Sequence, residues 1–176
     1  MSLPPFALER FFAAYEFTAP YLLCASDCEA LTLTETLALA TPEASALWRD
    51  LTFSYTESAG HPRLRQEIAA LYAGIAAGQV LVLAPEEGIY LAMQALLAPG
   101  DHAACMFPGY QSLYTVAEAR GCTVSRWEPR IEGGAWRFAL DDLLALLRDD
   151  TRLLIVNLPH NPTGALLSLA DWECLL

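Results

Sequence analysis

Arg152-Leu153-Leu154-Ile155-Val156-Asn157 runs directly into Leu158-Pro159-His160-Asn161-Pro162-Thr163-Gly164, and this stretch decides the fold. Four consecutive apolar side chains, Leu153 to Val156, leave no polar face, the pattern of a strand buried on both sides. The loop that follows is stiff: Pro159 and Pro162 fix the backbone, and Gly164 permits a tight exit. The only asparagines of the chain, Asn157 and Asn161, fall at or just beyond the strand end. Such a loop holds the Asn161 amide, both a donor and an acceptor, at a fixed place above the sheet. Read as an ordinary strand-to-helix turn, it would instead have Asn161 capping its neighbours.

A strand covered on both faces needs helices on both faces, and the preceding residues supply them. Pro62 opens a helix with Leu64, Ile68, Leu71, Tyr72 and Ile75 at three- and four-residue spacing. Residues 80–83, Val-Leu-Val-Leu, predict a second buried strand. Pro85 starts another helix carrying Ile89, Tyr90, Met93, Leu96 and Leu97, stopped by Pro99-Gly100. A strand at 103–107, a helix at 112–119, a strand at 122–127 and a helix at 140–147 lead to the strand at 152–157. A further helix begins near Leu169. Alternation of this kind predicts a three-layer α/β fold, a mostly parallel sheet with helices on both faces. Residues 1–50 read differently, with Pro4, Pro5, Pro20 and Pro42 as breakers and a weak helical pattern at 31–39. We therefore divide the chain into an N-terminal segment, 1–50, and a larger part, 51–176. In parallel sheets ligands bind beyond the carboxyl ends of the strands, so the loops at 84–87, 108–111 and 158–164 are the candidate site.

Composition narrows the class. With 176 residues, 55% hydrophobic and 18% charged, the chain is long and apolar enough to bury a core. Its net charge of −11 argues against a general nucleic-acid binder, which needs a basic face. Five cysteines, an odd count without scaffold spacing, suit a reducing compartment and predict small buried thiols. His61, His102 and His160 are scattered, so no zinc site is expected. His61 and His102 adjoin turns and read as surface or cap residues, while His160, adjacent to Asn161, is placed either to buttress its loop or to sit near a group bound there, and proximity alone gives it no catalytic role. The first residues, Met-Ser-Leu-Pro-Pro, show no secretion signal. The apolar stretch 69–84 is interrupted by Gly74, Gly78 and Gln79 and so predicts no membrane span. We expect a cytoplasmic protein with neither membrane nor nucleic acid as partner.

Four segments follow one another in register: Tyr55-Thr56-Glu57-Ser58-Ala59-Gly60-His61-Pro62-Arg63-Leu64-Arg65, Pro99-Gly100-Asp101, Pro108-Gly109-Tyr110 and Asn157 through Gly164. Together they resemble fold-type I pyridoxal-phosphate-dependent aminotransferases of class I/II. The resemblance covers roughly residues 50–176 and implies the first part of that family's large domain, with 1–50 as part of a small domain or lid. It implies pyridoxal 5′-phosphate as cofactor, transfer of an amino group from an amino acid to a 2-oxo acid, and a homodimer. It further implies that Asn161 hydrogen-bonds the cofactor's phenolic oxygen, that Tyr110 stacks on the pyridine ring, and that Tyr55 reaches the phosphate of the partner subunit. Without the resemblance, Tyr110 reads as a core or surface tyrosine and Tyr55 as one at a helix entrance. The phosphate place corresponds to Ala84-Pro85-Glu86-Glu87, where main-chain N–H groups of Ala84, Glu86 and Glu87 would serve at a helix start. Here the sequence departs from the family's glycine-rich pattern.

All ten basic residues are arginine, and there is no lysine. The family's Schiff-base lysine therefore has no counterpart in these residues, no catalytic residue is assigned, and activity is not expected of this chain alone. Three explanations stay open: part of a longer enzyme, which we favour, a short binding or assembly module on the same scaffold, or a non-functional product. The same scaffold also carries lyase and cyclase chemistry.

Overall fold

The computed structural model describes residues 3–176; Met1 and Ser2, which head the segment 1–50 and the stretch read for a secretion signal, lie outside the described residues. In chain order the elements are α1 (Ala7–Tyr15), α2 (Leu33–Ala38), α3 (Pro42–Arg49), α4 (Pro62–Ala70), a 3-10 turn (Ala77–Gln79), α5 (Pro85–Leu96), β1 (His102–Met106), α6 (Ser112–Ala119), β2 (Thr123–Trp127), β3 (Arg130–Glu132), β4 (Ala135–Arg137), α7 (Leu140–Leu146), β5 (Thr151–Ile155) and α8 (Leu169–Leu175). They pack as two compact units, the segment through Ser26 together with Pro85–Leu176, and Asp27–Ala84.

In the first unit β1 lies at the centre of a parallel sheet of order β2-β1-β5. Every residue of β1 is buried. Side chains alternate between faces along each strand, and the two cores follow that alternation. Ala104, Met106, Trp127 and Leu154 point to one face, where they meet Leu143, Leu140 and Leu146 of α7 and Trp172 and Leu175 of α8. Val124, Leu153 and Ile155 point to the other, against Ile89, Met93 and Leu97 around α5 and Val116 and Ala117 of α6. Helices thus cover both faces, as the buried run at 153–156 demands. Trp127, with no exposed surface, donates its indole N–H to the Ala139 carbonyl at 2.9 Å, so its polar edge is satisfied.

Two sequence expectations are corrected here, and one hairpin is added to them. His102 is no surface or cap residue: it is fully buried, with Nδ1 2.7 Å from Thr151 Oγ1 of β5 and Nε2 2.9 Å from Ser125 Oγ of β2. The strand begins at His102 itself, which carries the ring into the sheet. The thiols divide, Cys105 and Cys122 being buried but Cys24, Cys28 and Cys174 exposed, because the last three lie outside the sheet and its cores. Burial pushes the Cys105 thiol up to about 12. An antiparallel hairpin, β3–β4, was not foreseen; Gly133 and Gly134 turn it with φ of 58° and 81°.

The second unit is helical. α2 and α3 start on capping threonines, Thr32 and Thr41, and α4 on His61, whose Nδ1 accepts from the Arg63 N–H. α4 ends at Ala70, short of the predicted Ile75. The apolar run 80–83 forms no strand, which corrects the second buried strand. A strand needs a ladder partner, and among the described residues the strands of the sheet pair only with one another. The run is held instead by Val82 N–H on the Ala59 carbonyl at 3.0 Å and by Arg65 Nε on the Val80 carbonyl at 2.8 Å.

Candidate functional site

β1 and β5 are parallel neighbours, so their carboxyl ends deliver two loops side by side: 107–111 leading into α6, and 156–168 leading into α8. His160 joins them. It is 1% exposed, with Nε2 2.7 Å from the Pro108 carbonyl oxygen and Nδ1 2.7 Å from Thr163 Oγ1. Phe138 packs edge-on against its ring at 4.6 Å. The loop closes on itself through Gly164 N–H to the His160 carbonyl at 2.7 Å and His160 N–H to the Ala165 carbonyl at 2.9 Å. Burial holds the imidazole below its ordinary pKa, opposed by the bond to Pro108. Of the two readings of His160 from the sequence, these bonds are those of the buttress.

Asn161 follows at once and is exposed, its Nδ2 donating to Ser26 Oγ at 3.1 Å. Tyr110 is half-buried and its hydroxyl donates to the Glu9 carboxylate. That bond, followed by desolvation, pushes the phenol up to about 12. Gln111 grips the same N-terminal stretch at both ends of its amide, accepting from Ala7 N–H at 2.9 Å and donating to the Pro5 carbonyl at 3.2 Å.

Helices of a parallel α/β layer run opposite to the strands, so α5 also presents its N-terminus at the carboxyl edge. The contact is direct: buried Ser112, first residue of α6, donates its hydroxyl to Glu86 Oε1 at 3.1 Å. Glu86 and Glu87 occupy the first turn of α5, where carboxylates favour the helix dipole, and both are exposed.

The structure therefore brings Tyr110, Asn161 and Glu86, with Glu87 beside it, to one edge of one unit. Tyr55 and Ala84 belong to the other unit, both exposed; Tyr55 lines an open groove there with Leu47, Leu51 and Leu64. Sequence reading missed Glu9, Ser26 and Ser112. Glu9 and Ser26 carry no local signal, since they meet Tyr110 and Asn161 across 101 and 135 residues. Ser112 was readable only as a helix start. No helix among the described residues is long and apolar enough to cross a membrane.

Comparison with known proteins gives a consistent result. The family profile described as aminotransferase class I and II matches residues 21–176. Capreomycidine synthase of Streptomyces vinaceus is 40% identical over 119 residues, 65% of this chain and 30% of the relative. A PLP-dependent aminotransferase from Streptococcus suis superposes with a TM-score of 0.86 at 31% identity, over 99% of this chain and 48% of that one. A PLP-dependent cyclase, OrfR, superposes with a TM-score of 0.81 at 28% identity, over 99% of this chain and 46% of that one. The chain thus spans about a third of the curated relative and just under half of each solved structure.

Proposed function

The chain belongs to the class I and II aminotransferase family, whose cofactor is pyridoxal phosphate, and on that premise we propose that it holds the cofactor ring in an enzyme moving an amino group from an amino acid to a 2-oxo acid. In this reading Asn161 donates its amide N–H to the phenolic oxygen, and Tyr110 lies flat on the pyridine ring. Main-chain N–H groups of Ala84, Glu86 and Glu87 take the phosphate, and Tyr55 serves the phosphate of the partner subunit in a homodimer. Residues 1–50 act as a lid, and 51–176 as the first part of the cofactor domain. The bound cofactor supplies an electron sink for the bond broken at the substrate α-carbon.

The observation that carries this reading is the link through His160: an amide donor and a flat ring emerge from adjacent strand ends, tied by one buried side chain. The donor set fits the ring. The phosphate place fits less well, because Pro85 has no N–H and Glu86 and Glu87 bring carboxylates to the helix start. With no lysine in the 176 residues, we infer that this chain is inactive by itself.

Titration with pyridoxine 5′-phosphate tests the reading. Its alcohol cannot condense with an amine, so it reports non-covalent ring and phosphate binding. Asn161→Ala and Tyr110→Ala are each expected to weaken it roughly tenfold, the cost of one lost polar or stacking contact of about 1.4 kcal/mol. Binding unchanged in both variants would remove the assignment. A second reading, ring-forming chemistry on the same cofactor, is favoured by the likeness to OrfR. Transamination passes the amino nitrogen to the 2-oxo acid, whereas cyclisation leaves it in the product, so a 15N-labelled amino acid given to an enzyme containing this chain separates the two.

A further inference from the structure

We propose that His160 is a positioning residue that sets the separation of Tyr110 and Asn161 by clamping the β1 loop to the β5 loop; the inference rests on the reading of those two side chains as ring-binding groups.

The hydrogen-bond pattern leaves the imidazole one arrangement. The Pro108 carbonyl has only lone pairs, so Nε2 must carry the proton it receives. Nδ1 is then bare and accepts the Thr163 hydroxyl proton. The Thr163 oxygen remains free to accept Ala165 N–H, which lies 3.2 Å away. Each donor in this chain meets one acceptor, and Phe138 against the ring face fixes its plane. Pro108 stands two residues before Tyr110, and His160 one residue before Asn161, so little chain remains to blur the distance that the clamp sets. No other side chain does both jobs: glutamine reaches the Nε2 position and asparagine the Nδ1 position, but only histidine spans the two. Displacement of a bound group by about 1 Å is enough to cost as much as a hundredfold in rate, so a clamp at this distance bears on function as well as on stability.

The experiment uses the 176-residue chain. Long-range proton–nitrogen correlation spectra should show His160 protonated at Nε2; protonation at Nδ1 would overturn the assignment. His160→Ala should weaken pyridoxine 5′-phosphate binding roughly tenfold, within the range seen when a supporting partner of a ligand group is removed. His160→Gln, which keeps a donor for Pro108, should recover most of that loss, a rescue that mere space-filling would not give. A folded His160→Ala chain that binds like the wild type, or a glutamine variant as poor as alanine, refutes the clamp. If His160→Ala does not fold, Thr163→Val decides: it removes the Nδ1 partner, together with the acceptor of Ala165 N–H, and leaves the bond to Pro108; weaker binding supports the clamp where unchanged binding rejects it. Should the wild-type chain take up no ligand, the ring-site reading fails, and amide exchange decides the clamp separately. Faster exchange at Gly164 and His160 in Thr163→Val supports it, and unchanged rates refute it.

Discussion

His102 and His160 are both buried, both use each ring nitrogen, and both sit below the ordinary histidine pKa. For His102 burial is the main cause, helped by Arg148 and opposed by Asp150; for His160 it is burial, opposed by the bond to Pro108. The fold prefers the neutral rings, so the unfolded chain binds protons first as pH falls through about 6.5, the unperturbed value. Stability is therefore complete above that pH, falls below it, and levels off once the folded rings also titrate. The slope is at most about 1.4 kcal/mol per pH unit for each histidine. Denaturant unfolding between pH 7.5 and 5 should show the decline, and His102→Gln should remove one histidine's share; an equal slope in the variant contradicts the account. Gly60 offers a second residue-level case. Its φ is +102°, and an added Cβ would lie 2.6 Å from Val82 Cγ2. Gly60→Ala should destabilise the chain by about 1–3 kcal/mol through backbone strain, plus the clash. The same Cβ would lie 2.7 Å from Val82 Cβ, so only Val82→Gly removes both close contacts; a Gly60→Ala/Val82→Gly double mutant as stable as Val82→Gly by itself would show that the backbone is not strained.

At the scale of elements, the N-terminus of α5 is where sequence and cofactor are in tension. Glu86 and Glu87 suit a helix start but repel a phosphate, and Glu86 is held at that edge by Ser112. Glu86→Ser should raise affinity for pyridoxine 5′-phosphate about two- to fivefold, the worth of one charge near a helix end, while slightly weakening the helix. Unaltered affinity would mean that the phosphate does not approach this turn. The elements that sequence alone made legible are those whose signal is local. α5, α6, β1, β2 and β5 were visible in apolar periodicity and proline or glycine stops, with ends shifted by a residue or two. Residues 80–83 misled because apolar content reports burial, whereas a strand also needs a partner. β3 and β4 carry no apolar strand pattern because all their residues are exposed, and their one local signal is the Gly133-Gly134 turn. In the candidate site, the places of Tyr110 and Asn161 beyond strand ends are legible in the pattern, whereas the roles proposed for them come from the family resemblance alone. Glu9 on Tyr110 and Ser26 on Asn161 were not legible, since nothing in a linear pattern records contacts between the two ends of a chain.

Over the whole molecule, the decisive property is the missing amine. Ten arginines carry all the basic charge, and a guanidinium stays protonated at any pH the protein survives, so it offers no nucleophilic nitrogen to an aldehyde. In the 176-residue chain the α-amino group is the one amine available. A chain that binds the cofactor ring through Asn161 and Tyr110 should therefore do so without a covalent bond to any side chain. Incubation with pyridoxal phosphate followed by borohydride should add at most one pyridoxyl group per chain. Peptide mapping should place it on the N-terminal residue, and prior acetylation of that amine should abolish it. Under the same conditions pyridoxine 5′-phosphate should compete with reversible uptake of pyridoxal phosphate at the sheet edge. A reduced adduct on an internal side chain would contradict the assignment of a non-covalent role to these residues.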